Sequence, residues 1–218
     1  MKNIKAIIFD MDGVLIDTER ISFNSFKKVF KEYNYRIDEM FYLEIIGHNV
    51  KSIKEIMINK YGNDFPFDEI YEKKVKISID TIKRDGLIVK KGVKELVEYL
   101  KVNNYKIAVA TSTRKQRAYE HLKEIEVLDK TDYVICGDQV MNSKPDPEIF
   151  LKAAEGLGVL PQECIVIEDS EAGIIAAYNA GIKSINVPDM IKPNDTIKRL
   201  SYKICNDLIE VKKLLEKQ

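Results

Sequence analysis

The sequence predicts an α/β fold, in which a doubly wound parallel sheet carries a small all-helical domain inserted after its first strand. Five short apolar runs, rich in β-branched residues, are typical of buried strands. Helical patterns lie between most of these runs, and such alternation favours a parallel sheet with helices on both faces. Between the first and second runs, however, residues 18–84 show helical periodicity and no convincing strand pattern.

The predicted strands and helices follow one another along the chain. The strands are Ile4–Phe9, Lys106–Ala110, Tyr133–Cys136, Cys164–Ile167 and Ser184–Val187. Each of these runs is too short for a helix. The helices are Gly92–Val102, Pro147–Gly156 and Ser170–Ala180, the last of which ends before a glycine that suits a helix C-cap. Helices between successive strands provide the crossovers that parallel pairing requires.

The inserted segment is far longer than a crossover, which needs only about a dozen residues. Its apolar residues recur with helical spacing at Phe23, Phe26, Val29 and Phe30, again at Ile53, Ile56 and Met57, and over Asp68–Ile82. We therefore predict a helical domain over residues 17–85. The remaining segments, residues 1–16 and 86–218, are predicted to form the core domain.

Composition excludes several classes of function. The chain has 35 basic and 35 acidic side chains, so net charge gives no reason to expect a nucleic acid or a membrane surface as partner. No apolar run reaches the roughly 18 residues of a membrane span, and no signal-like segment is found at the N-terminus. The three cysteines include no C-x-x-C pair, which favours reduced thiols. We expect a cytoplasmic protein, and a monomer by default.

Polar residues follow four of the predicted strands near the point where each strand ends. They are Asp10-Met11-Asp12-Gly13, Thr111-Ser112-Thr113-Arg114, Lys144 and Glu168-Asp169-Ser170. Because ligands of doubly wound sheets bind beyond the carboxyl ends of the strands, we expect these side chains to gather at one edge. This joint pattern is the strongest functional signal in the chain.

Asp10, Asp12 and Asp169 predict a metal site at that edge. Asp10 and Asp12 are two residues apart, so in an extended chain their side chains point to the same side of the backbone. Three neighbouring carboxylates repel one another unless a cation lies among them. Oxygen ligands with room for water suit Mg²⁺. With Lys144 and Thr111 close by, this set is typical of phosphoryl transfer through an aspartyl phosphate.

Each of these residues has an expected role in the transfer. Asp10 attacks phosphorus, and Asp12 protonates the leaving oxygen before it deprotonates the water that cleaves the acyl phosphate. Mg²⁺ and Lys144 offset the negative charge that would otherwise repel the nucleophile. Thr111 and the donors of the turn Ser112–Arg114 hold the phosphate oxygens.

Each motif alone has a more ordinary interpretation. A D-x-D-G sequence can begin a calcium loop, but the glycine at the sixth position and the closing glutamate are absent. Lys144 alone would be surface charge, and Glu168-Asp169-Ser170 alone would be a helix N-terminus. A receiver domain also has an aspartate, a threonine and a lysine at strand ends, but it lacks the helical insert. The occurrence of all four groups after strands, in this order along the chain, favours a catalytic site.

Phe9–Glu19 resembles the first motif of the haloacid dehalogenase superfamily along its whole length. Thr111 resembles the second motif, Lys144 in Ser143-Lys144-Pro145 the third, and Glu168-Asp169 the fourth. The resemblance covers the whole chain. The helical insert between the first two motifs is similar to the cap of the β-phosphoglucomutase and phosphoglycolate phosphatase branch.

The resemblance implies a Rossmann-like core whose Mg²⁺ is bound by Asp10, the backbone carbonyl of Asp12 and Asp169. In the mutase branch, the acidic residue that matches Glu168 can also reach the metal. The resemblance further implies a cap that opens and closes over the site. The expected activity is that of a phosphatase of small, sugar-like phosphorylated metabolites.

Residues of the cap bear on which reaction of the family is expected. We expect Gly47, His48 and Lys51 to bind the substrate. The histidine and arginine that support transfer to sugar in the mutase align with Ser22 and Val50, which favours a phosphatase. His48, Asn49 and Lys51 could substitute for them, so a phosphosugar mutase stays the alternative. A dehalogenase is less expected, and a non-catalytic protein that binds a metabolite or a partner is the remaining class.

Overall fold

A computed structural model describes residues 3–46, 48 and 50–217 of the chain. The chain divides into two compact units, Met1–Asp17 with Ile88–Gln218, and Thr18–Leu87. In order, the elements are β1 (Ala6–Phe9), α1 (Glu19–Glu32), α2 (Glu39–Ile45), α3 (Val50–Tyr61), α4 (Phe67–Asp85), α5 (Val93–Val102), β2 (Lys106–Thr111), α6 (Lys115–Glu124), β3 (Tyr133–Cys136), α7 (Glu148–Leu157), β4 (Cys164–Glu168), α8 (Glu171–Asn179), β5 (Lys183–Asn186), α9 (Asp195–Leu200), β6 (Lys203–Ile204) and α10 (Leu208–Glu216). Gly47, one of the predicted substrate contacts, and Asn49, one of the residues that could support transfer to sugar, lie outside the described residues.

The larger unit is built on one six-stranded parallel sheet in the order β3-β2-β1-β4-β5-β6. The predicted fold class is therefore confirmed. β1 is central, because Phe9 pairs in register with Val109 of β2 and with Ile167 of β4. Strand order reverses between β1 and β4, and sheets of this kind bind ligands beyond the carboxyl ends of the strands at such a reversal.

Both faces of the sheet are covered, which explains why the central strands β1, β2 and β4 are mostly apolar. Ile8 and Val166 pack in one cluster with Phe150 of α7 and Ala177 of α8. Ile7 points to the opposite face and is equally buried. α5 packs on α10 and against β2. The strands are thus held rigidly, and the residues that follow them start from fixed positions.

Five elements of the structure are not among those predicted, namely β6, α2, α6, α9 and α10. β6 has two residues and α2 has seven, and periodicity gives little signal at such lengths. α6 is polar along most of its length, and only Ala118, His121 and Leu122 are buried in it. The omissions therefore fall mainly on short or polar elements.

The smaller unit contains only helices as regular structure among its described residues. α1 packs along α4, and the buried ring of Phe26 on α1 lies 6.3 Å from the ring of Tyr71 on α4. α2 begins at Asp38, whose carboxylate accepts a hydrogen bond from the backbone N–H of Phe41 at 2.8 Å. In the part of the chain that the structure describes, no helix has the length and hydropathy needed to cross a membrane.

The two chain segments that lead to and from the helical unit lie side by side in the larger unit. Ile16 forms an antiparallel bridge with Val89. Next to it, the backbone N–H of Asp17 donates to the carbonyl of Ile88 at 2.8 Å. The chain therefore leaves the sheet unit and returns to it through hydrogen-bonded neighbours.

Candidate active site

Asp10 lies directly after β1, at the reversal point of the sheet. Its backbone N–H donates to Ile167 O at 2.9 Å, which continues the β1–β4 ladder and fixes where the side chain leaves. The carboxylate is buried and pairs with the Lys144 ammonium. Burial raises the pKa of Asp10 well above its ordinary value, the Glu168 carboxylate adds to the rise, and Lys144 opposes it. Further positive charge close to Asp10 would lower this pKa and favour the ionised form.

Lys144 joins two carboxylates beneath this edge. Its ammonium donates to Asp10, to Glu168 Oε2 at 2.8 Å and to Ala110 O at 3.4 Å. The side chain is only 6% exposed, and the ring of Phe150 lies 5.0 Å from the ammonium. Burial alone would lower the pKa of Lys144, but the two carboxylates outweigh burial and raise the pKa. Lys144 is therefore a fixed, buried positive charge.

Glu168 ends β4 and is held by the chain that follows it. Its Oε1 atom accepts hydrogen bonds from Ser170 N at 3.1 Å and from Ser170 Oγ at 2.8 Å. Burial would raise the pKa of Glu168, but Lys144 and the Ser170 donors outweigh burial and lower the pKa. Gly173 on α8 leaves room for this carboxylate, because a Cβ at that position would overlap it. Glu168 is thus ionised and locked in place.

Gly13 makes room for Asp169. The φ angle of Gly13 is +87°, in a region that residues with a side chain rarely adopt. A Cβ at Gly13 would also lie 2.7 Å from Asp169 Cγ. The turn after β1 therefore lies so close to the loop after β4 that only glycine fits at position 13.

Asp10, Glu168 and Asp169 form a three-carboxylate group that could hold a metal ion. One carboxylate oxygen from each residue lies within 4.8 Å of the other two. A donor set made of oxygen atoms alone fits a hard cation such as Mg²⁺ and does not favour soft metals. The chemistry of these residues therefore fits the ion that the sequence analysis predicts.

Asp12 is oriented by the chain that follows β2. Its Oδ2 atom accepts hydrogen bonds from Thr113 Oγ1 at 2.8 Å and from Thr111 Oγ1 at 3.3 Å. Thr111 Oγ1 in turn accepts a hydrogen bond from the backbone N–H of Thr113 at 3.0 Å. Asp12 is also close enough to Asp10 to contribute to the raised pKa of Asp10. The two threonines thus hold the Asp12 carboxylate beside the three-carboxylate group.

The remaining predicted site residues are more exposed. Ser112 and Arg114 lie in the exposed turn between β2 and α6. His48 and Lys51 are exposed residues of the helical unit. The predicted contact of these four residues with substrate stays a prediction.

Asn186, which the sequence analysis missed, contacts the loop that carries two of the carboxylates. Its Nδ2 atom donates to Glu168 O and to Asp169 O, at 3.1 Å in each case. The available signal was a fully polar side chain at the carboxyl end of an apolar strand. That signal does not name a partner, because the hydrogen bonds depend on how β5 pairs with β4.

Known proteins resemble this chain over most of its length. The family model of haloacid dehalogenase-like hydrolases matches residues 7–187. A phosphorylated carbohydrates phosphatase of Thermotoga maritima is 35% identical over 186 residues, which cover 84% of each protein. A β-phosphoglucomutase of Bacillus subtilis is 31% identical over 192 residues, which cover 84% of this chain and 83% of that protein. A crystal structure of β-phosphoglucomutase from Clostridium difficile has a TM-score of 0.80 at 27% identity, over 98% of this chain and 96% of that chain.

These matches include the site described above. The span matched by the family model contains every contact from Asp10 to Asn186. The two relatives named for their activity exceed 30% identity over 84% of this chain. The chain therefore belongs to the haloacid dehalogenase-like hydrolase family.

Proposed function

We propose that this protein is a Mg²⁺-dependent phosphatase of small phosphorylated carbohydrates that acts through a phosphorylated Asp10. The observation that carries the proposal is the convergence of Asp10, Lys144, Glu168 and Asp169 beyond β1 and β4. Membership of the family and its named phosphatases support the hydrolysis of phosphate monoesters. The activity for which the Thermotoga maritima relative is named supports carbohydrate phosphates as the substrate class.

The reaction begins at the Asp10 carboxylate, which attacks phosphorus in line with the leaving oxygen. As the bond from phosphorus to that oxygen breaks, Asp12 donates a proton to it. Asp12 then takes a proton from water, whose oxygen attacks the phosphorus of the acyl phosphate and releases inorganic phosphate with Asp10 restored. Thr111 and Thr113 orient Asp12 for both proton transfers through the hydrogen bonds that they donate to it.

Charge neutralisation decides whether an anionic phosphate can approach Asp10. Lys144 places one positive charge between Asp10 and Glu168. A bound Mg²⁺, held by Asp10, Asp169 and the backbone carbonyl of Asp12, would supply further positive charge and polarise the phosphoryl oxygens. Glu168 lies close enough to these groups to take part in holding the ion. The exposed turn that follows β2 would offer donors to the phosphoryl oxygens.

We also propose that the helical unit selects the substrate, through Gly47, His48 and Lys51. The carboxylates and Lys144 of the sheet unit can hold only a metal and a phosphoryl group. The leaving group therefore has to be recognised by other residues. Exposed polar side chains on an inserted unit are suited to this role, because they are free to vary without disturbing the sheet.

The proposed cellular setting is the cytoplasm. Cys136, Cys164 and Cys205 are free and buried, and burial raises the pKa of each thiol to about 11. Such thiols stay protonated at neutral pH and are unreactive, which fits a reducing compartment. A monomer that acts on a small phosphorylated metabolite is the expected form.

Removal of divalent metal should abolish turnover. Without the ion, three carboxylates face the incoming phosphate and only Lys144 offsets their charge, so an anionic substrate should be repelled from Asp10. Release of p-nitrophenol from p-nitrophenyl phosphate should fall to the buffer rate in excess EDTA and return when Mg²⁺ is restored. Undiminished hydrolysis in EDTA would contradict the metal dependence, and no hydrolysis under any condition would favour a protein that binds without catalysis.

Phosphorylated sugars should be hydrolysed faster than nucleotides or phosphoglycolate. A screen of these three classes for phosphate release, at matched concentrations with saturating Mg²⁺, measures the preference.

The alternative function is a phosphosugar mutase, which the likeness to two β-phosphoglucomutases favours. Conversion of β-glucose-1-phosphate to glucose-6-phosphate faster than release of phosphate would establish that alternative in place of the phosphatase.

A further inference from the structure

Asn186 holds two consecutive carbonyl groups of the loop after β4. It is the last residue of β5, and its side chain is completely buried. Its Nδ2 atom donates to Glu168 O and to Asp169 O, at 3.1 Å each. The backbone N–H of Val187 also donates to Glu168 O, at 2.9 Å. One amide group thus bridges the two carbonyls at the point where the chain turns out of the sheet.

These hydrogen bonds restrict the direction in which the Asp169 side chain leaves the backbone. Regular pairing of β4 with β5 ends at Glu168 and Asn186. The backbone N–H of Val187 fixes the peptide group that joins Glu168 to Asp169, because it donates to Glu168 O. The Asn186 amide binds the same carbonyl and also Asp169 O, which belongs to the next peptide group, beyond the regular pairing. The amide thereby joins the two peptide groups that flank the Asp169 side chain and restricts their planes. The Asp169 carboxylate is thereby directed towards Asp10 and Glu168 in the three-carboxylate group.

Asn186 adds little net stability to the sheet. Its Oδ1 atom is buried and has no hydrogen-bond partner among the described residues. A buried amide oxygen without a partner is unfavourable by about 1–3 kcal/mol. The two hydrogen bonds that Nδ2 donates offset this cost. The main effect of the asparagine is therefore on the loop after β4, whose carbonyls it binds.

We propose that Asn186 is a positioning residue for the metal ligand Asp169 and that it sets the affinity of the site for Mg²⁺. This inference rests on the proposed function, since it takes Asp169 as a ligand of the ion. Residues that orient metal ligands typically change metal affinity by about 10-fold to 100-fold when they are replaced. Asn186 acts through the backbone of Glu168 and Asp169, and does not touch the substrate.

The test is the substitution Asn186→Leu in the full chain. Isothermal titration calorimetry with MgCl₂ should show a dissociation constant raised by about tenfold or more. The midpoint of thermal unfolding without metal should change little, because removal of the unsatisfied Oδ1 atom offsets the loss of the two hydrogen bonds from Nδ2. At saturating Mg²⁺, kcat for p-nitrophenyl phosphate should return towards the wild-type value. If Asn186→Leu does not fold, Asn186→Ala, which needs no additional space, is measured with the same expected change in Mg²⁺ affinity.

Ser184→Ala is the matched control. Ser184 lies two residues earlier on the same face of β5, and its Oγ atom is also buried without a hydrogen-bond partner among the described residues. Its replacement should leave the dissociation constant for Mg²⁺ unchanged. Equal Mg²⁺ affinity in wild type and in the Asn186 variant would overturn the positioning role. Absence of Mg²⁺ binding by the wild type would instead overturn the proposed function, so the two failures are distinguishable.

Discussion

Replacement of Asp10 with asparagine is expected to lower phosphate release by at least about a hundredfold while the chain keeps its fold. The asparagine side chain has nearly the same shape, but its amide is not a nucleophile and forms no acyl phosphate. Lys144 keeps its ion pair with Glu168 in this variant, so the neutral side chain at position 10 should be well tolerated. Hydrolysis of p-nitrophenyl phosphate at saturating Mg²⁺, together with circular dichroism, measures both effects.

Asp138→Asn is a suitable control for this substitution. Asp138 also follows a strand at the same edge of the sheet, but its carboxylate accepts a hydrogen bond from the backbone N–H of Lys115 at 3.0 Å and lies outside the three-carboxylate group. This variant should keep most of the wild-type activity. Beryllium fluoride, which mimics an acyl phosphate, should inhibit the wild type in the presence of Mg²⁺. Activity of Asp10→Asn above about a hundredth of wild type would contradict covalent catalysis.

Replacement of Lys144 with methionine is expected to abolish turnover and to lower the free energy of unfolding by about 3–5 kcal/mol at pH 7. The ammonium of Lys144 is buried between the carboxylates of Asp10 and Glu168. Methionine fills a similar volume but leaves two buried negative charges without a counter-charge. Urea unfolding monitored by fluorescence or circular dichroism measures the loss.

The loss in the Lys144 variant should shrink as the pH falls. Without Lys144, repulsion between the two buried carboxylates raises their pKa in the folded state above the unfolded values. A carboxyl group with a raised folded-state pKa binds protons more tightly when folded, so the stability of the variant increases from pH 7 towards pH 5. Added Mg²⁺ should also restore part of the stability. An equal loss at pH 5 and pH 7 would show that lost packing, rather than unpaired charge, is responsible.

Lys152→Met is the control for charge removal at the surface. Lys152 forms an ion pair with Glu148 at 2.7 Å, but its side chain is 39% exposed. Water and salt screen such pairs, so the stability of this variant should change little and should not recover with Mg²⁺.

The location of the candidate site could be predicted from the sequence, because residues that follow parallel strands lie at the same edge of the sheet. Asp10 and Lys144 are far apart in the chain, yet each follows a recognisable apolar run, and parallel strands bring such residues to one edge. The contacts of Asp12 with Thr111 and Thr113 could not be predicted in this way. They depend on rotamers and on the course of a turn, neither of which leaves a periodic pattern in the sequence.

The contacts of Asn186 within the sheet could not be predicted from the sequence either. An asparagine at the end of a strand is commonly a helix cap or a turn residue. Its hydrogen bonds to Glu168 O and Asp169 O depend on the register that places it opposite Glu168 in the neighbouring strand. Register is a tertiary property, set by packing of all strands together, so a single sequence without a structure does not reveal which carbonyls an interior amide will meet.

The antiparallel bridge between Ile16 and Val89 has a consequence for how such enzymes diversify. To the sheet, the seventy-residue segment 18–87 is equivalent to one long loop closed at its base. Loop closure becomes only about 0.6 kcal/mol less favourable for each doubling of length. Exchange or enlargement of that segment should therefore hardly alter the stability of the sheet unit. Evolution can then change the helical unit while the residues at the edge of the sheet stay as they are.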